Sequence, residues 1–513
     1  MIDASKVNVR TLPLPEDHLI WSATYTFTGT VLVSYTTPED PADYMNLAIV
    51  NDDGSDWHKI WSGSVKSPIR GNGIRFMMFP DKKRIHFGSF ILECTPDVDH
   101  CESAELVPVI YPDIFQEDRM FVWSENVVAP DSKHVGWTQL NMRKGSLNFV
   151  AELERKEDCY EQKNIQLISS LVGLEKDPDN EGLLKTYPFR GGELKQFVRG
   201  GKAISLVGAV RGGTSDSVIQ DLDTEELHLM SKTPGYDETT IFSPDEKLGL
   251  VMTSRFSPKT DLGVIGLVPR PPYIFMAKGL SMPSWSYSVA AVRINVDGNV
   301  GPALVEIDRV LTEPDYKGIC LADPKKEWVY SSPMSWHPNG VHGMFLEMKR
   351  GTLIRRVRIV EIDGYVPGET VPCDVFPENI PYAVPLEKVG ALKEDASEIR
   401  GRIPGKHSGY ILVNKNRMKT ETTYEHYSDD GKRFWDGREV VVVGREKYEY
   451  EADVTLSGPD PGRIDLRVIF RRGTVGEPLP PFYIDHTPAE DGKPYSYGYA
   501  TYGGKTLRVE DLY

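Results

Sequence analysis

One short pattern recurs along this chain and limits what it can fold into. An apolar stretch leads to a Pro-Asp or Pro-Asn pair, then a short polar turn, then a new apolar run. It is found at Phe76-Met-Met-Phe-Pro-Asp-Lys-Lys-Arg-Ile-His-Phe-Gly and at Asn126-Val-Val-Ala-Pro-Asp-Ser-Lys-His-Val-Gly-Trp. It returns at Thr240-Ile-Phe-Ser-Pro-Asp-Glu-Lys-Leu-Gly-Leu-Val and Met334-Ser-Trp-His-Pro-Asn-Gly-Val-His-Gly-Met-Phe, with a weaker copy lacking proline at Leu194-Lys-Gln-Phe-Val-Arg-Gly-Gly-Lys-Ala-Ile-Ser-Leu-Val. Pro80, Pro130, Pro244 and Pro338 lie 50, 114 and 94 residues apart, or about one, two and two units. A period near 50 built from short strands is the mark of a β-propeller, in which each unit folds as one four-stranded blade. In that arrangement the Pro-Asp turn ends the innermost strand of a blade and starts the next.

The rest of the chain agrees. Runs rich in Val, Ile, Tyr, Phe and Thr alternate with turns, and 37 Pro and 45 Gly supply the turns. Phe27-Thr-Gly-Thr-Val-Leu-Val-Ser-Tyr reads as a strand, and Met45–Ile60 as a hairpin. Helical periodicity is nearly absent. Pro385–Ile399 and Glu152–Gln166 are the two stretches where helix is expected. The fold class predicted is all-β: a six-bladed β-propeller over residues 1–404, with seven blades as the alternative. Residues 405–513 alternate cleanly, as in Lys447-Tyr-Glu-Tyr-Glu-Ala-Asp-Val-Thr-Leu, and carry no blade motif. They are expected to form a β-sandwich-like layer packed on the propeller or closing it.

Composition excludes several functions. The 59 Lys and Arg against 75 Asp and Glu leave a net charge of −16, so neither nucleic acid nor an anionic membrane is an expected partner. Fifty-one aromatic residues (24 Tyr, 18 Phe, 9 Trp) exclude a disordered chain, and no apolar run is long enough to span a bilayer as a helix. Cys94 and Cys101 bracket a Pro-containing loop and are predicted to close a small disulfide; the alternative is two free thiols in a reducing compartment. The first residues lack a signal peptide's pattern, so the chain is either cytoplasmic or a secreted protein whose signal has been removed. No Asn-x-Ser/Thr sequon occurs.

Longer stretches carry a resemblance. The Pro-Asp units are similar to TolB-type repeats. Ile91-Leu-Glu-Cys-Thr-Pro-Asp-Val-Asp-His-Cys, Pro234-Gly-Tyr-Asp-Glu-Thr-Thr-Ile-Phe-Ser-Pro-Asp-Glu-Lys and Arg255-Phe-Ser-Pro-Lys-Thr-Asp-Leu-Gly resemble a fungal and bacterial family usually labelled saponin hydrolase. So do Tyr427-Ser-Asp-Asp-Gly and the closing Ser496–Leu512 stretch. The resemblance implies a secreted enzyme that hydrolyses a glycosylated triterpenoid or similar natural product. It brings no catalytic motif with it.

Site candidates therefore come from the repeat. No Gly-x-Ser-x-Gly elbow, phosphate-binding glycine loop, His-Glu-x-x-His or Cys-x-x-Cys is present. Residues six to eight positions before each proline should surround the mouth of the axial channel. They are Asn72, Gly73, Ile74; Val122, Trp123, Ser124; Tyr236, Asp237, Glu238; and Tyr330, Ser331, Ser332, with Arg75 and Glu125 one step further in. Glycoside cleavage needs two carboxyl groups flanking the scissile bond. Glu125 with Asp237 or Glu238 could supply them, while Asn72, Arg75, Trp123, Tyr236 and Tyr330 would bind the substrate. The competing view is that such acids bond the neighbouring blade's backbone. No cofactor and no metal is expected. His337 and His342 read as structural, and the aspartate-rich turns Asn51–Asp56, Asp177–Gly182 and Ser428–Gly431 as turns, not calcium loops. Two other functions remain open for the same pocket: a cofactor-free cyclase or lyase of the pericyclase kind, and a non-catalytic propeller that binds a ligand or protein.

Overall fold

The computed structural model describes residues 2–513 apart from 66–75, 113–120, 123–125, 142–144, 170–172, 188–189, 212–213, 232, 272–276, 296, 299, 314, 390–396 and 474–481. The chain forms a ring of six blades. Blades one and two run Leu19–Ser64 and Phe76–Ile110, each a four-stranded antiparallel meander. Blade three spans Phe121–Leu167, blade four Glu193–Leu229 and blade five Asp237–Cys320. Blade six takes three strands from Trp328–Ile362 and its outermost from the N-terminus, where Val7–Thr11 pairs Arg358–Ile362. That pairing closes the ring with hydrogen bonds between the two ends of the propeller segment.

The Pro-Asp turns act as the repeat implied. Asp81, Asp131 and Asp245 each accept from backbone amides two or three residues on, and Asn339 does the same in blade six. The residue after each is left-handed: Lys82 at φ 65°, Ser132 at 60°, Glu246 at 54° and Gly340 at 70°. This lets the inner strand reverse tightly into the next one.

The inner strands are sutured to one another around the axis. Tyr25 N donates to Ser335 Oγ and Val128 N to Met77 Sδ, and Leu194 N reaches past the inner strand of blade three to Thr138 Oγ1 on its second strand. Gln196 bonds both the N–H and the carbonyl of Phe242, and Trp336 Nε1 donates to the Ile241 carbonyl. Trp336 is thus largely core, with its one polar atom satisfied across the blade gap. Blades two and three are further joined by a short parallel pairing of their outer strands, Tyr160 opposite Val109.

Two expectations need correcting. Glu152–Gln166 is no helix but a hairpin within strands Gly145–Arg155 and Tyr160–Leu167. In Pro385–Ile399 only Leu386–Val389 is helical among the described residues. Conversely, an 18-residue helix, Ala277–Ile294, interrupts blade five between its second and third strands. Its apolar residues do not form one stripe. Leu280 and Tyr287 pack into the C-terminal core, while Val289 and Val292 pack between blades five and six. A helix buried on opposite sides carries little amphipathic signal.

After blade six the chain crosses the Pro-Asp turns. Gly368 N bonds Asp245, Asp374 N bonds the Gly200 carbonyl, and Phe376 stacks on His134 at 4.0 Å. It then enters a nine-stranded antiparallel sheet running from Ile399 to Arg508. The C-terminal layer is this one sheet, packed around the blade-five insertion, with Phe482–Ile484 and Tyr497–Tyr502 both pairing Gly462–Arg472. Lys447–Ser457 and Gly462–Arg472 alternate buried and exposed residues as their sequence alternates. Buried Glu439 ties the sheet to the insertion by accepting from Arg270, Tyr424 and Tyr450. Cys94 and Cys101 form a disulfide, which fits an oxidising compartment. Among the described residues no helix is long and apolar enough to cross a membrane.

Candidate functional site

The end of the propeller where inner strands begin is also where the blade-five insertion emerges. Two charged groups of residues meet there between blades four and five. Glu193 opens the inner strand of blade four, and Asp237 opens that of blade five.

The first group lies along the two inner strands. Tyr236 is fully buried and its hydroxyl donates to Glu238 Oε2 at 2.7 Å. Burial, and then the nearby charges of Glu238 and Glu193, hold the phenol well above its ordinary range, so it stays a protonated donor. Glu193 forms an ion pair with Lys195 at 2.8 Å, with side-chain exposures of 13% and 7%. One carboxyl group, Glu238, accepts from the phenol, and the charge of a second, Glu193 on the adjacent blade, also bears on it. Gly192 makes this placement possible. Its φ is +135°, and a Cβ there would lie 1.6 Å from the Val207 carbonyl oxygen.

The second group lies behind the first. Asp237 is 0% exposed and its Oδ1 accepts from Arg255 Nε at 3.1 Å. Arg255 also donates to Thr253 Oγ1 and to the Tyr316 carbonyl. Ser254 Oγ bonds Asp261, whose carboxyl is raised above its ordinary value by burial and by the Asp237 charge. A cleft of about 220 Å³, counted out to its open mouth, touches Asp237, Arg255, Ser231 and Met230. Its enclosed space has room for about one water molecule, far short of the roughly 300–1,000 Å³ of a small-molecule site. The cleft suits a solvent molecule or a small substituent, not a whole substrate.

The sequence-derived candidates divide as follows. Tyr236, Asp237 and Glu238 come together as described. Tyr330 is buried, with its ring in the core between blades five and six. Asn72, Arg75, Trp123 and Glu125 lie outside the described residues. Glu193, Lys195 and Arg255 were not among the candidates. Blade four turns at Arg199–Gly201 without a proline, so the count back from proline skipped it; the same offset taken from Gly200 lands on Glu193. Arg255 is reached only through strand pairing, because it follows Thr253, the register partner of Asp237. Among the described residues no group of three or more His, Cys, Asp or Glu could hold a metal.

No protein-family model and no curated protein sequence matches the chain. Solved structures that align with it include a TolB protein of Acinetobacter baumannii, at 15% identity and TM-score 0.32, covering 67% of this chain and 65% of that one. Another is an oligogalacturonate lyase of Vibrio parahaemolyticus, at 10% identity and TM-score 0.36, covering 70% and 98%. A third is an acylaminoacyl peptidase of Pyrococcus horikoshii, at 9% identity and TM-score 0.34, covering 80% and 58%.

Proposed function

We propose that the chain is an enzyme that cleaves a glycoside of an apolar natural product at the channel mouth, with Glu193 and Glu238 as its carboxyl pair. The observation that carries this reading is that Glu193 and Glu238, on adjacent blades, both act on one buried phenol, Glu238 by a hydrogen bond and Glu193 through its charge. One carboxyl would protonate the glycosidic oxygen as the bond to the anomeric carbon breaks. The other would add to that carbon, or deliver water to it, from the opposite side. Tyr236 fixes the rotamer of Glu238, and Lys195 anchors Glu193, so neither carboxyl must be ordered when substrate arrives. Asp237 takes a supporting role in this reading, because Arg255 occupies its charge and burial denies it contact with substrate. The family resemblance of the Pro234–Lys247 stretch points to the same substrate class.

The test is sugar release from a triterpenoid saponin by the wild type and by Glu193→Gln and Glu238→Gln. Each variant should retain the wild-type circular dichroism spectrum and lose about 10²–10⁴-fold in rate. Undiminished release by either variant would remove the pair from the chemistry. Saponin binding by the wild type without sugar release would turn the assignment to a non-hydrolytic conversion or to binding alone.

A further inference from the structure

Two blades on from Glu193, where blade six meets blade one, a buried cation lacks an anionic partner among the described residues. Arg355 begins the third strand of blade six and is 7% exposed. Among the described residues no carboxylate pairs with it. Its hydrogen bond among the described residues runs from Nη1 to the carbonyl of Leu353, two residues away, and its buried Nε finds no partner there. Its guanidinium lies over the Trp21 ring, 5.1 Å from the centroid. The charge facing it is also positive: burial, and then Arg293 at the end of the helix Ala277–Ile294, pull the guanidinium down to about 10.

The position follows from the strand alternation. Arg355 shares a strand face with Val357 and Ile359, which pack against blade one. Trp21 belongs instead with the core between blades one and two. The contact between Arg355 and Trp21 therefore runs across the starting end of blade one's inner strand, on the same side of the propeller as Glu193 and Glu238. The surroundings are apolar and open. Ile294, Leu353 and Ile354 are 54%, 55% and 53% exposed. Arg350 holds their two segments together by donating to the carbonyls of Val292 and Gly298.

A buried guanidinium costs several kcal/mol of desolvation unless a counter-charge meets it. Its planar fork is shaped for a carboxylate, and an aromatic face below it is compatible with that use. We propose that Arg355, seated on Trp21 and beside Arg293, binds the carboxylate of an apolar ligand whose hydrocarbon body rests on Ile294, Leu353 and Ile354. Resting on the glycosidase reading above, this makes the substrate an acidic natural product, held by its carboxylate where blade six meets blade one while the carboxyl pair works two blades away.

The experiment measures binding of oleanolic acid and of its methyl ester by quenching of tryptophan fluorescence. The Glu238→Gln protein is used alongside the wild type, so that the result does not depend on cleavage. The acid should bind at least tenfold more tightly than the ester, Arg355→Met should abolish the difference, and Arg355→Lys should reduce it. Arg355→Met should also melt at or above the wild-type temperature, because it removes an uncompensated buried charge. Should Arg355→Met fail to fold, Arg355→Lys decides, since a point charge without the fork must weaken the preference. Equal binding of acid and ester by the wild type, or an unchanged preference in Arg355→Lys, overturns the proposal. Sugar release unaffected by Glu238→Gln, with the acid preference intact, would sink the catalytic assignment while leaving this one standing.

Discussion

Asp237→Asn separates the two charged groups at the site most sharply. Asn preserves the shape of the side chain and one acceptor for Arg255, but removes the charge. Arg255 then keeps Thr253 Oγ1 and the Tyr316 carbonyl, with only 3% of its side chain exposed. Removing one partner of a buried pair leaves an uncompensated ion and costs about 3–5 kcal/mol. Replacing both partners by apolar residues, Asp237→Leu with Arg255→Met, should recover most of that loss. Equilibrium urea unfolding, followed by tryptophan fluorescence and far-UV circular dichroism together, measures both variants and checks that the probes coincide. At low urea, where Asp237→Asn is folded, its rate of sugar release should stay within a few-fold of wild type. A variant stable to within 1 kcal/mol of wild type but slowed more than a hundredfold would refute the reasoning, because Asp237 would then act on substrate and not on Arg255.

Other consequences concern stability. Burial pushes the His86 imidazole down to about 3; the residue is 2% exposed, and its Nε2 has no hydrogen-bond partner among the described residues. Between about 6.5 and 3 the unfolded chain binds this proton and the folded one does not, so stability falls as pH falls, by roughly 1.4 kcal/mol per pH unit. Urea midpoints measured from pH 7 to 4 should show that slope, and His86→Leu should flatten it. Asp261 has the opposite sign: its carboxyl is raised above 3.8, so its contribution declines as pH rises through the folded value. Asp261→Asn should remove that decline without loss of stability at pH 7. The Cys94–Cys101 disulfide spans a sequence separation of 7, and loop-closure entropy puts its loss at about 2–3 kcal/mol, measurable by thermal unfolding of the Cys94→Ala/Cys101→Ala variant. Gly192→Ala should fold poorly or lose more than about 3 kcal/mol, because its Cβ would enter the Val207 carbonyl; a wild-type melting curve would contradict that placement.

The ring itself was legible from the chain. The Pro-Asp turn is a local device: Asp caps two amides, the next residue goes left-handed, and a strand reverses, whatever lies elsewhere. A device that depends on four or five consecutive residues leaves its mark wherever it recurs, so its spacing pointed to a propeller. The same locality made the 94–101 loop readable as a disulfide and the C-terminal strands readable by their alternation. The helix Ala277–Ile294 was not legible, because it is packed on opposite sides by the C-terminal core and by blades five and six, which erases one-sided periodicity. Glu152–Gln166 misled for the converse reason: a polar, lightly buried hairpin keeps no strict period of two. The partnerships at the site belong to tertiary structure alone. The charge of Glu193 reaches Tyr236 across a blade boundary, Asp237 meets Arg255 through strand register, and Arg355 meets Trp21 only because the last blade closes against the first. Residue type and order fix which charges a blade carries; which charge faces which is decided when six independently readable units are packed around one axis.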